Sequence, residues 1–248
     1  MLHRFSRTEL LLGHDNIQKL AQSKIAIFGI GGVGSFVAEG LARAGVGNFT
    51  LIDSDDISLT NINRQVHALE STIGKKKTQI MKERILAINP EATVTTIEEL
   101  FTPESTFFNW QDNYTYIVDA VDDVKAKINL AVTATKYNVP IISSMGTANK
   151  LDPQKFVITD IYKTHTCPLA KLLRKALKQQ GIKKLKVLYS TEQPFTDYTI
   201  NFTENATKDR SPASTRKKPL GSISFVPPVA GLLIASEIVK DICNLAKK

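Results

Sequence analysis

The segment Gly29-Ile30-Gly31-Gly32-Val33-Gly34 constrains the fold of this chain more than any other. It follows the apolar run from Ser23 to Phe28, opens a helical pattern from Gly34 to Ala44, and is succeeded by a second strand pattern from Phe49 to Ile52. Strand, glycine turn, helix and strand together make a βαβ unit. Without side chains in the turn, phosphate oxygens can approach backbone N–H groups at the start of the helix, where the dipole favours anions. Asp53 ends the next strand, the position from which an acid can accept both hydroxyls of a ribose. A plain tight turn would use the same glycines, and the pairing with Asp53 favours a nucleotide. At this point a dinucleotide-dependent oxidoreductase and an adenylating enzyme both remain open.

The alternation continues. A helix from about Lys76 to Ile88 stops before Asn89-Pro90, where proline cannot continue it. Strands are expected at Thr93 to Ile97 and Tyr116 to Val121, a helix from Val124 to Tyr137, and a strand from Ile141 to Ser144. This order predicts an α/β, Rossmann-like, doubly wound and mostly parallel sheet. Beyond Gly146 the pattern changes to a strand at Phe156 to Ile161, a basic helix near Leu169 to Gln179 and a strand at Lys186 to Tyr189. We therefore expect one domain, with a nucleotide-binding core over 1–150 and a C-terminal elaboration over 151–248. Residues 196–219 are polar, carry Pro212 and Pro219 and lack periodicity, which predicts a mobile loop. The apolar stretch from Ile223 to Val239 contains Pro227, Pro228 and Glu237. Its residues from Pro228 to Val239 are too few for a bilayer, which needs about 20 apolar residues, and the stretch reads as a buried helix.

Composition narrows the class. With 248 residues and 42% hydrophobic content, the chain can bury a full α/β core. Its two cysteines, Cys167 and Cys243, provide neither a disulfide framework nor a zinc set, which suits a reducing cytoplasm. Arg4, Arg7 and Glu9 interrupt the apolar residues of the N-terminus, unlike a signal peptide. The net charge of +8 favours a polyanionic partner. From Lys163 to Lys186 the chain carries Lys163, Lys171, Arg174, Lys175, Lys178, Lys183, Lys184 and Lys186 with no acid among them. A solvated helix face is the alternative reading, although such faces usually mix signs.

Later residues separate the two enzyme classes. Asp53-Ser54-Asp55 is followed by Asn61-Ile62-Asn63-Arg64-Gln65, by Gly74-Lys75-Lys76-Lys77, and by Asp122-Asp123. Hydride transfer needs no such cations. Adenylation brings a carboxylate to the α-phosphate of ATP and expels pyrophosphate, so cations must neutralise charge in the transition state. Arg64 and Lys77 suit that catalytic role, and Asp122 suits Mg²⁺ held through the phosphates. The expected ATP-binding set is Gly29, Gly31, Gly32, Gly34, Asp53, Asp55, Asn61, Arg64, Gln65 and Lys77.

In this order the motifs resemble the ubiquitin-activating-type, ThiF-like adenylating superfamily. Arg4-Phe5-Ser6-Arg7 is similar to its N-terminal arginine motif, which implies that Arg7 acts catalytically on the ATP of a partner subunit in a homodimer. Carrier-protein activators of that superfamily typically hold zinc with two C-x-x-C pairs, which this chain lacks. Instead the segments from Ser143 to Pro153, Asp160 to Thr164, Pro168 to Lys171, Gly181 to Lys184 and Phe225 to Pro228 resemble its tRNA threonylcarbamoyladenosine dehydratase branch. That resemblance runs from Leu2 to the C-terminal helix. It implies ATP-dependent cyclisation of the threonylcarbamoyl group on tRNA through an acyl adenylate, releasing AMP and pyrophosphate. Lys163, Lys171, Arg174, Lys175, Lys183 and Lys184 then become expected contacts to the RNA backbone. Expected partners are modified tRNA, a second copy of the chain and sulfur-transfer proteins. The rival reading is an activator of a small ubiquitin-like sulfur carrier. Cys167 departs from the branch pattern Thr-His-Thr-x-Pro, which often has aspartate at x, and reads either as a nucleophile or as a small residue at a helix start. His67 and His165 lack clustered partners and default to structural or binding roles.

Overall fold

The glycine turn follows an interior strand of a sheet that has seven strands among the described residues. The strands are β1 (Lys24–Phe28), β2 (Asn48–Ile52), β3 (Thr93–Ile97), β4 (Tyr116–Asp119), β5 (Ile141–Ser144), β6 (Phe156–Asp160) and β7 (Lys186–Ser190). The computed structural model describes residues 2–195 and 220–245, so the loop expected at 196–219 lies outside the described residues. Spatial order is β3-β2-β1-β4-β5-β7-β6. Every pairing is parallel except that of β6 with β7. The strands from the basic C-terminal part therefore extend the same sheet rather than starting another. β7 pairs with β5 through Ile142↔Lys186, and β6 closes the edge.

Seven helices surround the sheet among the described residues: α1 (Ser6–Leu12), α2 (His14–Gln22), α3 (Gly34–Ala44), α4 (Lys77–Ile88), α5 (Val124–Lys136), α6 (Pro168–Gln179) and α7 (Val226–Ile242). Local chemistry sets their ends. Gly45, at φ +100, closes α3 by donating its N–H to Leu41 and Ala42 carbonyls. Asp123 caps α5, its carboxylate accepting from the Ala126 N–H at 2.8 Å. Proline in the first turn of α7 costs no hydrogen bond, because those N–H groups have no helical partner.

The apolar stretch read as a buried helix is α7, packed along α3. A Cβ on Gly40 would lie 2.9 Å from the Ala235 Cβ, so these helices approach as closely as their small residues allow. Val37, Leu41, Ile234 and Ile238 are fully buried there against Ile25 and Ile27 of β1. A second cluster, containing Phe28, Phe101, Phe108 and Tyr114, packs on Ala126 and Leu130 of α5. Each such side chain contributes roughly 1.5–3 kcal/mol by leaving water. Among the described residues no helix is long and apolar enough to cross a membrane.

Candidate active site

In a parallel sheet with helical crossovers, ligands bind beyond the C-terminal ends of the strands. Phe28 of β1 pairs with Ile52 of β2 and with Asp119 of β4, so Gly29, Asp53 and Ala120 leave the sheet on one edge. Gly29 has φ +86, and a Cβ there would lie 2.7 Å from the Ala120 carbonyl oxygen. At Gly34 a Cβ would lie 1.8 Å from the Gly29 carbonyl oxygen. Only glycine lets the chain turn from β1 into α3 this tightly.

Asp53 fastens the turn. Its Oδ2 accepts from the Ile30 N–H at 2.6 Å and its Oδ1 from the Asp55 N–H at 2.9 Å. Burial raises its pKa, and the nearby Lys77 ammonium opposes that rise. Lys77, 6% exposed at the start of α4, reaches Asp55 Oδ2 at 2.7 Å and Asp53 Oδ1 at 3.9 Å. The glycines, both acids and the lysine expected from sequence therefore form one constellation.

The Asn61–Gln65 segment closes on it from the other side. Asn61 works locally, its Oδ1 accepting from the Ser58 N–H at 3.2 Å while its carbonyl takes the N–H groups of Arg64 and Gln65. Arg64 donates to the Thr60 carbonyl and Asn63 Oδ1, each at 2.9 Å. Burial lowers its pKa. The Arg64 Cγ lies 3.3 Å from where a Cβ on Gly32 would stand, and Gln65 Nε2 lies 4.0 Å from the equivalent point at Gly31. Gln65 Oε1 is buried without a hydrogen-bond partner.

Asp122 is exposed in the loop after β4, on the same edge as the turn. Among the described residues no cluster of three or more His, Cys, Asp or Glu could hold a metal by itself. Arg7 is exposed on α1, and its side chain makes no hydrogen bond or ion pair among the described residues.

Sequence reasoning missed a buried ion pair beneath the site. Lys127 Nζ lies 3.0 Å from Asp119 Oδ1 and donates to the Ser144 carbonyl at 2.8 Å, while Ser143 Oγ donates to Asp119 Oδ2 at 2.5 Å. It joins the ends of β4 and β5 to α5 and so steadies the loop carrying Asp122. The available signal was a lysine on the apolar face of a predicted helix. His67 is likewise buried at 1% exposure with both ring nitrogens unpartnered. Burial first, then Lys77 and Arg84, push its pKa down to about 3.

On the basic segment, Lys163, Lys171, Lys175, Lys178, Lys183 and Lys184 are exposed. Arg174 is half-buried and donates to the Thr164 carbonyl and Oγ1, tying α6 to the preceding turn. Lys186 is committed to Glu237, at 3.0 Å, and to Asp241. Cys167 is 5% exposed and packs with Met145, Ile161 and Ala170 where α6 begins, the position expected of a small packing residue.

Residues 5–248 match the ThiF family. The tRNA threonylcarbamoyladenosine dehydratase of Bacillus subtilis is 44% identical over 98% of this chain and 95% of its own length. The crystal structure of Escherichia coli tRNA N6-threonylcarbamoyladenosine dehydratase in complex with ATP superposes with a TM-score of 0.84 at 33% identity, covering 97% of this chain and 94% of that one. The molybdopterin-synthase adenylyltransferase of Escherichia coli is 30% identical over 63% of this chain and 62% of its own length.

Proposed function

The chain belongs to the ThiF family, and on that premise we propose that it is an ATP-dependent tRNA threonylcarbamoyladenosine dehydratase. The observation that carries this reading is the convergence of the glycine turn, Asp53, Lys77 and Arg64 on one edge of the sheet. Near end-to-end similarity to a dehydratase, against partial similarity to a molybdopterin-synthase adenylyltransferase and to a sulfur carrier protein adenylyltransferase, favours tRNA over a sulfur carrier as substrate.

The chemistry follows from the residues. Backbone N–H groups of the turn and the start of α3 receive the phosphates of ATP. Lys77 and Arg64 offset the charge that builds as the threonyl carboxylate attacks the α-phosphate and pyrophosphate leaves. Gln65 Oε1 is an acceptor left for the nucleotide. Asp122 would hold a Mg²⁺ through its one carboxylate, and the ion would supply further positive charge at the phosphates. The carbamoyl group of the same nucleotide then attacks the acyl carbon, AMP departs and a ring closes. Because both reacting groups belong to one residue, the second step is intramolecular, and orientation can supply much of its rate. The exposed lysines of α6 and its flanks contact the RNA backbone. A cytoplasmic setting and sulfur-transfer proteins as partners belong to the same proposal.

Arg7 completes the site from a second copy. Beside it Leu2, Leu10 and Leu11 are 96%, 85% and 83% exposed, an apolar surface that a partner subunit would cover. Arg7→Ala and Lys77→Ala should each lower tRNA-dependent AMP formation at least about a hundredfold. Mixed and re-equilibrated, the two variants should regain about a quarter of wild-type activity, because half the dimers carry one intact site. No recovery, with heterodimers demonstrated by mass, would place Arg7 outside the partner's site.

A further inference from the structure

Lys150 lies in the loop that leaves β5, beyond Ser144, on the same edge as the glycine turn and Asp122. It is 4% exposed, and its ammonium donates to the Glu192 backbone carbonyl at 2.7 Å. An ammonium offers three donors, and among the described residues nothing takes the other two. The Glu192 carboxylate accepts instead from the N–H groups of Leu151, at 2.9 Å, and Asp152, at 3.1 Å. The other titratable group facing Lys150 is the buried thiol of Cys167. Burial lowers the Lys150 pKa, with Cys167 and Glu192 opposing. An unpaired buried ammonium is costly, and an anion arriving at it removes the cost.

The chain joins this loop to the site. Asn149 accepts from the Gly221 N–H at 2.7 Å, and Asn63, next to Arg64, donates to the carbonyl of Ser222 at 3.0 Å. Adjacent residues of one short segment thus bridge the Lys150 loop and the Arg64 loop.

We propose that Lys150 receives the threonyl carboxylate of the modified nucleoside before it is adenylated. This rests on the dehydratase reading and adds the residue that recognises the modification. The free donors match a carboxylate in number and charge. Adenylation neutralises that carboxylate, so the grip loosens when the acyl carbon must turn to the carbamoyl group.

The test is binding, without ATP, of an anticodon stem-loop carrying threonylcarbamoyladenosine and of the same RNA with plain adenosine. Wild type should prefer the modified RNA. Lys150→Met should lose that preference by roughly ten- to a hundredfold, the range for hydrogen bonds to a charged group, and leave affinity for the plain RNA unchanged. Lys150→Gln, which keeps two N–H donors without the charge, should fall between them. In turnover, both variants should raise KM for modified RNA more than they lower kcat. ATP affinity measured alongside reports an intact glycine turn in each variant. Wild-type preference persisting in Lys150→Met would overturn the assignment, as would its absence from wild type. If wild type with Mg-ATP leaves the modified nucleoside unchanged, the dehydratase reading itself fails; if it converts the nucleoside while Lys150→Met keeps the preference, only Lys150 is misassigned.

Discussion

At the scale of single residues, His67 sets a limit on acid stability. Its pKa is about 3 in the fold and about 6.5 in an unfolded chain, so on acidification the unfolded state takes the proton first. Its contribution is fully present above the unfolded value and is lost as pH falls toward the folded one, at about 1.4 kcal/mol per pH unit. His67→Gln should therefore lose less stability than wild type between pH 6.5 and pH 4, read from urea midpoints. Equal losses would show that other groups dominate. The candidate site was partly legible in the sequence. Asp53 was readable from its place at the end of the strand after the glycine turn, and Arg64, Gln65 and Lys77 from the charge that adenylation must offset and from the resemblance of their motifs; the fold brings these residues around the turn. Lys127 and Lys150 were not, because a lysine's default place is the surface. Their burial depends on Asp119 and Glu192, partners that only folding supplies. Arg174 shows the converse, since its basic neighbours are exposed while it turns inward to Thr164.

At the scale of elements, the packing of α7 on α3 couples stability to the site. A Cβ on Gly231 would lie 2.5 Å from the Val33 carbonyl oxygen and 2.7 Å from the Phe36 Cβ, and Val33 belongs to the glycine turn. Gly231→Ala should destabilise by about 1–3 kcal/mol and weaken ATP binding in parallel. Urea unfolding and nucleotide titration check the two effects, and an unchanged ATP affinity would show that α7 does not brace the turn. Helix α3 and strands β3 and β5 begin and end where apolar periodicity and glycine or proline stops put them. The direction of β6 was not legible, because alternation along a strand does not encode the sense of its pairing. The break between α1 and α2 at Gly13, φ +81, was also missed, since two helices this short carry little periodic signal.

For the whole molecule, the proposed function gives the exposed lysines of α6 and its flanks a role as contacts to the RNA backbone. Replacing Lys171, Lys175 and Lys183 with glutamate should weaken tRNA binding, flatten its salt dependence and spare ATP affinity, as expected of residues neutralising phosphates. Unaltered tRNA affinity would return this face to solvent. In the proposed reaction the glycine-turn site adenylates a carboxylate on tRNA and the product closes on itself. The direct measurement is to incubate the protein with Mg-ATP and tRNA bearing threonylcarbamoyladenosine, digest the RNA, and determine nucleoside mass alongside AMP. Loss of one water from the nucleoside with stoichiometric AMP is expected. An unchanged nucleoside, with an acyl adenylate and pyrophosphate formed instead from a glycine-ended carrier protein, would contradict that reaction.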